Sequence, residues 1–418
     1  MKQTIQQVQE VPVRSECDIL VVGGGPAGMG AALTAARKGA KVTLVEYGGK
    51  LGGMWTLGLL SPFFDNRKEG LNREFREKLM ERNAWGGLWN ISFDPVEMAL
   101  FLNRCAQETG IDVLLYTMAC EPYMEDHAVR GVFIQNKSGK QLIRAKIVID
   151  CTGDGDIAAR AGCPFEIGRP SDGCFQPMTM MFRISGVRPE YPSDRILDWY
   201  TLLEKRVKDK EQFVRDVPFT NPALIRLPRE GEALVQWTHI RYKNGCNGDD
   251  LSSAAQEGFR QVENAMRYFE EIRDFLGDVH LLELPAVIGV RETRRITGEY
   301  HISDDDLKAG RRHPDGICTV HFGVDIHEPD REEQTGLPNP GFDIPFRSLV
   351  PLNAENLLTA GRCISGSYLA HAAYRVTGDC LKTGEAAGEK ACEALNRGIS
   401  VRALAQSFFM EQKERQKI

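Results

Sequence analysis

At 418 residues, 42% hydrophobic and 26% charged, the chain has the composition of an ordinary globular protein and is too long for one hydrophobic core. Its 52 basic and 58 acidic residues leave a net charge of -6 and are intermingled, with no basic block suited to nucleic acid and no acidic tail. The longest apolar runs are strand-length, which excludes a membrane-spanning helix.

The opening stretch, MKQTIQQVQEVPVRSE, lacks the apolar run and small-residue cleavage site of a secretory leader, so a cytoplasmic location is expected. Eleven cysteines occur without a CxxC pair, and eight histidines without HExxH or comparable metal-ligand spacing. Free buried thiols and no metal are expected.

The first predicted element carries most information. CDILVVGGGPAGMGAALTAARKGAKVTLVE, residues 17–46, starts with an apolar strand over Ile19–Val22 and enters Gly23-x-Gly25-x-x-Gly28. Pro26 and Ala27 lead into a helix carrying small Ala31, Ala32, Ala35 and Ala36, which stops at Gly39. KVTLVE is a second strand ending on Glu46, 18 residues after Gly28. Gly23 permits the tight turn, Gly25 lets backbone approach a pyrophosphate, and Gly28 lets helix and strand pack closely. The helix N-terminus then offers unpaired N–H groups and a positive dipole end. Glu46 is placed to accept hydrogen bonds from a ribose 2′-hydroxyl and would repel a 2′-phosphate, so a free adenosine ribose is expected rather than NADP.

The next loop, YGGKLGGMWTLG, separates NAD from FAD. Tyr47 and four glycines (48, 49, 52 and 53) stand directly behind the ribose-binding acid, where backbone can run along an extended flavin dinucleotide. Met54 is expected along the dinucleotide, and Trp55 is expected to wall a substrate pocket. LNREFREKLMERN and PVEMALFLNRCAQETG read as helices, the second opened by Pro95 and closed by Gly110. AVRGVFIQNKSGKQLIRAKIVID reads as a hairpin turning at Ser138-Gly139, and its last strand runs into Thr152-Gly153-Asp154. That turn leads to an alanine-rich helix, with no further strand and acid, so it is not read as an NAD(P) site. Without a CxxC pair, a dithiol flavin reductase is disfavoured too.

From about 166 to 345 the texture changes. Strand-like PMTMMFRISGV and EALVQWTHIRYK alternate with the helical SAAQEGFRQVENAMRYFEEIRDFLG, which suggests a substrate domain built on a sheet. The methionines read as core filler, while Gln176 could face the flavin pocket. His239, near Gln236, Trp237 and Tyr242, is either structural or a substrate contact. In VRETRRITGEY, alternation would put Arg291 and Thr293 on one side and Glu292 and Arg294 on the other. The run serves either as a buried Arg–Glu network joining two domains or as a source of a substrate-facing Arg291. LPREGE, KNGCNGDD and HEPDREEQTGLPNPG read as surface loops.

Beyond about 346 the nucleotide texture returns. NLLTAGRCIS is a strand running into a glycine turn at Gly361. SYLAHAAYRV, if helical, sets Tyr368, His371 and Arg375 at i, i+3 and i+7, on one face. In TGEAAGEKACEALNRG a small-residue helix is expected to begin near Gly384 and to offer N–H groups to the flavin ring.

With GGGPAGMGAA, LGGMWTLG, VIDCTGDGDIAARAG, QPMTMMFRISGV, VIGVRETRRITGEYHIS, FDIPFRSLVP and NLLTAGRCIS…RVTGDCLKTGEAAG on the page, nearly the whole chain resembles the FAD-dependent oxidoreductases of the glutathione-reductase-like, two-dinucleotide-fold type, in particular their bacterial branch. The resemblance implies an α/β fold: a Rossmann-like FAD-binding domain from residues 1–165 and 346–418, with an inserted α+β substrate domain over 166–345. It implies non-covalent FAD held by Gly23, Gly25, Pro26, Ala27, Gly28, Glu46 and Tyr47, and by Gly52, Gly53, Met54 and Trp55. Ala119, the turn Thr152, Gly153 and Asp154, the turn Gly361 and Arg362, and the helix residues Gly384, Glu385, Ala386 and Ala387 complete the implied set. One departure stands out. Many such folds carry Gly-Asp where this chain has Gly361-Arg362, and an arginine cannot accept the ribityl hydrogen bonds. Asp379 or backbone is expected to take over.

In a flavoenzyme the protein supplies orientation, proton transfer and electrostatics. His371 is the expected acid/base because its ordinary pKa lies near neutrality, with Arg375 or Arg291 as oxyanion or carboxylate clamp and Tyr368 as a hydrogen-bond donor. The leading expectation is a dehydrogenase-like enzyme moving a hydride between flavin N5 and a carbon of a small hydroxylated or carboxylated metabolite. Alternatives are an enoate-reducing flavoprotein, a flavin monooxygenase, or a non-catalytic flavin component of an electron-transfer assembly. Expected partners are the small-molecule substrate and an unidentified electron acceptor or donor; a homo-oligomer is compatible with the sequence, nucleic acid and a membrane span are not.

Overall fold

The computed structural model describes residues 5, 8–189, 198–330 and 334–415. Its largest sheet has seven strands. Asp112–Leu114, Val42–Val45, Val13–Val22 and Gly139–Asp150 run parallel in that order; Val42–Val45 and the runs Ile19–Val22 and Ile147–Asp150 are buried on both faces, while Asp112–Leu114 is the edge. The long strand Gly139–Asp150 then forks. Its first half pairs antiparallel with Ala128–Asn136, the expected hairpin, which in turn pairs with Met118–Glu125. Its last three residues pair parallel with Leu357–Thr359, so the C-terminal part of the chain is stitched into the same sheet.

Parallel register makes four strands end at one edge: Val22, Val45, Asp150 and Thr359. The chain therefore leaves the sheet side by side at Gly23, Glu46, Cys151 and Ala360, and the crevice outside those carboxyl ends is where open α/β sheets take ligands. Helix Pro26–Arg37 follows the first strand, and helix Thr377–Arg397 crosses it. The expected helices appear as Leu71–Glu81 and Pro95–Glu108, the second capped by Asp94, whose side chain accepts the N–H groups of Val96 and Glu97.

The second sheet is antiparallel, ordered Ala223–Arg226, Ala233–Gln236, Phe182–Ser185 and His280–Glu283. Helix Gly248–Glu270 lays Val262, Ala265 and Phe269 onto a core shared with Phe182, Val235 and Trp237. Met178, Met180 and Met181 are buried, as expected of filler. The core divides differently from the chain. Ile302, Val320, Val324 and Ile344, expected with the substrate half, pack in one cluster with Ile19 and Val21 of the dinucleotide sheet. Among the described residues no helix is long and apolar enough to cross a membrane.

Candidate active site

Helix Pro26–Arg37 begins at Gly25 with no side-chain cap, so its first N–H groups face the crevice. Gly23 sits at φ +99, and a Cβ at Gly28 would lie 1.7 Å from the Gly23 carbonyl oxygen, so close packing of turn and helix needs both glycines. In front of Gly25 a Cβ would meet nothing nearer than 3.9 Å, which leaves room for a pyrophosphate. Gly52 donates its N–H to the Gly24 carbonyl at 2.8 Å, bringing the second glycine loop alongside the first.

Glu46 is buried, and its two oxygens accept the N–H groups of Gly24 at 2.7 Å and Gly48 at 2.6 Å. Burial raises its pKa, and those N–H bonds work in the opposite direction. Each oxygen keeps a lone pair for a ribose hydroxyl. Beside it Tyr47 and Tyr116 stand exposed, the latter in the left-handed region at φ +52. The N–H of Tyr116 donates to the Gly48 carbonyl, and that of Thr117 to the Glu46 carbonyl, so Ala119 lies two residues past a direct link to the acid. These rings can flank an adenine. Tyr116 was not among the sequence candidates; its position next to the Glu46 loop depends on sheet pairing between distant strands. The uncapped helix, the space before Gly25 and the ribose acid fit an FAD. Glu46→Ala should weaken FAD binding at least about tenfold, since charge-assisted hydrogen bonds contribute about 1.5–3 kcal/mol; fluorescence titration of apoprotein with FAD checks it.

The turn at Thr152–Asp154 meets Arg362. The Arg362 guanidinium donates to Asp154 at 2.8 Å and to Thr293 at 3.1 Å, and Thr293 also bonds Asp154. Asp154 thus supplies the carboxylate beside the glycine turn where the chain has arginine. Asp379 does not: it is fully buried and faces Lys68 at 2.8 Å.

Several expectations are corrected. Trp55 does not wall a pocket; it is fully buried among Phe63, Phe75 and Phe93, with ring centroids 4.9–6.2 Å away. The helix carrying Gly384 starts at Thr377, seven residues before that glycine. Gly384, Ala386 and Ala387 are therefore mid-helix, where N–H groups bond within the helix, and Gly384 abuts the backbone of Ala27. The Glu385 carboxylate accepts from Leu71 N–H at 3.2 Å instead of facing a flavin. In VRETRRITGEY the strand covers only Arg294–Ile296, so the expected alternation fails: Glu292 bonds Arg295, both holding the backbone of Gly168, while Arg294 reaches Asp156. HEPDREEQTGLPNPG begins inside the fold, since His327 ends the strand Val324–His327 and is buried, and Gln334–Leu337 is its partner strand.

SYLAHAAYRV is a helix, Tyr368–Tyr374, capped by the Ser367 hydroxyl, which accepts Ala370 N–H. Its three polar residues do separate things. Tyr368 lies under Arg295, with the guanidinium 5.8 Å from its ring, and its hydroxyl is buried. His371 has no exposure, and burial, with Arg295, Arg375 and Arg362 nearby, pushes its pKa far down against a backbone hydrogen bond to Arg362. Arg375 donates to the carbonyl and the carboxylate of Asp325, at 2.8 and 3.2 Å.

Arg291 faces the same region from the segment that follows strand His280–Glu283 of the second sheet. It donates to the Pro177 carbonyl at 2.5 Å, two residues after Gly289, whose Cβ position lies 3.2 Å from the end of Met54. Burial and the positive charge of Arg375 push its pKa down to about 9, with Asp325 opposing them. Sequence reasoning missed Asp325 and His327. Their signal was a carboxylate and an imidazole two apart on an alternating strand, hidden in a Pro- and Gly-rich neighbourhood.

Across residues 18–415 the chain matches the family described as FAD dependent oxidoreductase. It is 31% identical over 162 residues to the digeranylgeranylglycerophospholipid reductase of Methanosarcina acetivorans, covering 32% of this chain and 37% of that enzyme. The chain thus matches well under half of that relative's length. Two solved structures share the fold. One is a geranylgeranyl bacteriochlorophyll reductase-like protein from Thermoplasma acidophilum, with TM-score 0.51, 17% identity, and coverage of 96% of this chain and 84% of that one. The other is a flavin-dependent brominase, with TM-score 0.53, 13% identity, and coverage of 96% and 85%. With the uncapped helix, the paired glycine loops and Glu46 all in place, the match over nearly the whole chain leads to one conclusion: this protein belongs to the FAD dependent oxidoreductase family, an enzyme family whose cofactor is FAD.

Proposed function

We propose that the protein moves a hydride between FAD and a carbon of a small carboxylate-bearing metabolite held by Arg291 and Arg375. The relatives' names span a lipid reductase and a brominase, so the family leaves the substrate open and the residues at the junction must choose it. The observation that carries the reading is a charge imbalance: Arg291 and Arg375 are both half-buried, Arg375 donates to Asp325 at 3.2 Å, and the same Asp325 carboxylate is the acid that acts on Arg291. One carboxylate against two arginines leaves a net positive charge, which an anionic substrate would neutralise. Arg375 lies in the link between two C-terminal helices and Arg291 beside the Met54 contact, so the two side chains approach the junction from different halves of the fold. FAD, when bound, supplies the two-electron redox chemistry; Arg291 and Arg375 bind and orient the carboxylate.

The test is anaerobic mixing of the FAD-loaded protein with 2-hydroxy acids and unsaturated acids, beside their amides, following the flavin absorbance. Only the acids should react or perturb the spectrum. Arg375→Gln and Arg291→Gln should each weaken acid binding by about 10- to 100-fold, as expected for a lost charge-assisted bond of about 1.5–3 kcal/mol. Equal response to amides would remove the carboxylate from the proposal. Bleaching by NAD(P)H alone would favour the monooxygenase alternative.

A further inference from the structure

Resting on that carboxylate reading, we propose that His327 is the residue that takes or gives the substrate's proton, with His239 and Asp325 positioning its ring. His239 comes from the loop after strand Ala233–Gln236 and His327 from the strand Val324–His327, so the pair bridges the two halves of the fold. The hydrogen positions follow from what each neighbour can do. His239 Nδ1 lies 3.0 Å from the Thr238 carbonyl oxygen, which only accepts, so Nδ1 carries the hydrogen. A neutral His239 then presents a lone pair at Nε2. That nitrogen is 3.1 Å from His327 Nδ1, which must therefore donate. His327 is left with the lone pair of Nε2, and this atom points toward Asp325 Oδ2 at 3.6 Å. A proton arriving there meets a carboxylate ready to hold it.

The surroundings keep the ring in place. Phe219 stacks on His239 with centroids 3.8 Å apart. His327 N–H donates to Gln176 at 3.2 Å, next to the Pro177 carbonyl that receives Arg291. The charged groups facing the pair are Arg291 from the second-sheet side, Arg375 from the link after helix Tyr368–Tyr374, Arg241 beside His239, and Asp325 on His327's own strand. Burial and Arg291 hold His327 neutral, its pKa pushed down to about 4, and burial pushes His239 down as well. Burial thus opposes a resting proton on either ring, which keeps a lone pair free to accept one. His371 differs: burial and three nearby arginines all oppose a proton on its ring.

In the oxidative direction, the O–H bond of a 2-hydroxy acid breaks and its proton goes to His327 Nε2. The O–H electron pair forms the new C=O bond, and the C–H pair leaves with its hydrogen as hydride to FAD. The substrate loses two electrons and two hydrogens; the reverse direction returns them.

Two measurements test this. Long-range proton–nitrogen spectra of the FAD-loaded protein labelled with 15N-histidine should show, among its eight histidines, two neutral rings with hydrogen on Nδ1 and bare Nε2. Neither should titrate near the ordinary value of about 6.5. His327→Asn should delete one ring's signals and shift the other's. Finding Nε2-protonated rings, or titration at the ordinary value, overturns the proposal without reference to activity. In the second measurement, malate, lactate and glycolate serve as reductants and oxalate as the non-reacting probe. His327→Asn and His327→Gln should slow anaerobic flavin reduction about 100-fold while oxalate binding, read from the flavin spectrum, stays near the parent's. His239→Asn should slow it less and change the pH profile. Parent-like reduction in both His327 variants overturns the proposal. A parent protein that binds no carboxylate overturns the substrate reading instead, and the tautomer spectra then decide the histidine pair by themselves.

Discussion

Gly384→Val should remove about 3 kcal/mol or more of fold stability, because the added carbons meet backbone that cannot move aside. A Cβ at Gly384 would stand 1.9 Å from the Ala27 carbonyl oxygen. Along the same crossing, Gly388 would meet the Ala31 carbonyl at 2.3 Å and Gly30 the Leu381 carbonyl at 2.4 Å. Helices Pro26–Arg37 and Thr377–Arg397 thus touch through glycine on both sides, and the first turn of the former is also the phosphate end of the cofactor crevice. Parting the helices damages the core first and the crevice second. Gly258→Ala makes a fair comparison: its Cβ would meet the Met180 Cβ at 2.9 Å and the end of that side chain at 3.0 Å, longer contacts than the backbone ones at Gly384, and should cost less. Denaturant unfolding of the apoprotein checks both. A Gly384→Val apoprotein that unfolds at the parental midpoint but binds no FAD would return Gly384 to the cofactor and refute the packing account.

What could be read in advance follows from how local the physics is. The segment from Cys17 to Glu46 contains its strand, turn, helix and acid within one continuous stretch, and each part constrains the next. The helix Tyr368–Tyr374 was legible for the same reason. The start of the helix Thr377–Arg397 was not. Gly378, Gly384 and Gly388 lower its intrinsic propensity, so the sequence shows a break where tertiary contact with the first helix demands glycine. Trp55 looked like a pocket wall because it follows two glycines, yet Phe63, Phe75 and Phe93 enclose it from elsewhere in the chain. The partner of Arg362 could not be read either: Asp154 lies 208 positions away and meets it only because two parallel strands end at the same sheet edge. His327 was lost in a loop-like composition whose first residue closes a buried strand.

Lys68→Met should destabilise the protein by about 3–5 kcal/mol near neutral pH, the usual cost of stranding a buried charge. Lys68 Nζ lies 2.5 Å from Asp65 and 2.8 Å from Asp379, and Asp379 also meets the Cys318 thiol at 3.4 Å. Asp379 is fully buried in the first turn of helix Thr377–Arg397, the element that crosses the cofactor helix. Its pKa is driven up by burial and by Asp65, with Lys68 opposing, while Asp379 and Asp65 raise that of Lys68. The sign of the pH dependence follows. For Lys68, a raised folded pKa means stabilisation fully present below the unfolded value of about 10.4 and lost only above it. For an acid raised in the fold, stability falls as pH climbs past its unfolded value of about 3.9, because the unfolded chain releases the proton and the fold resists. Removing the lysine leaves only the second effect, with two acids facing each other. The gap between parent and variant should therefore widen from about pH 5 to about pH 8. Lys68→Met combined with Asp379→Leu should recover most of the loss, since a buried pair replaced by apolar residues costs little. Urea midpoints across that range decide it, and a gap that is constant or narrows with rising pH would show that Lys68 does not neutralise Asp379 in the folded protein.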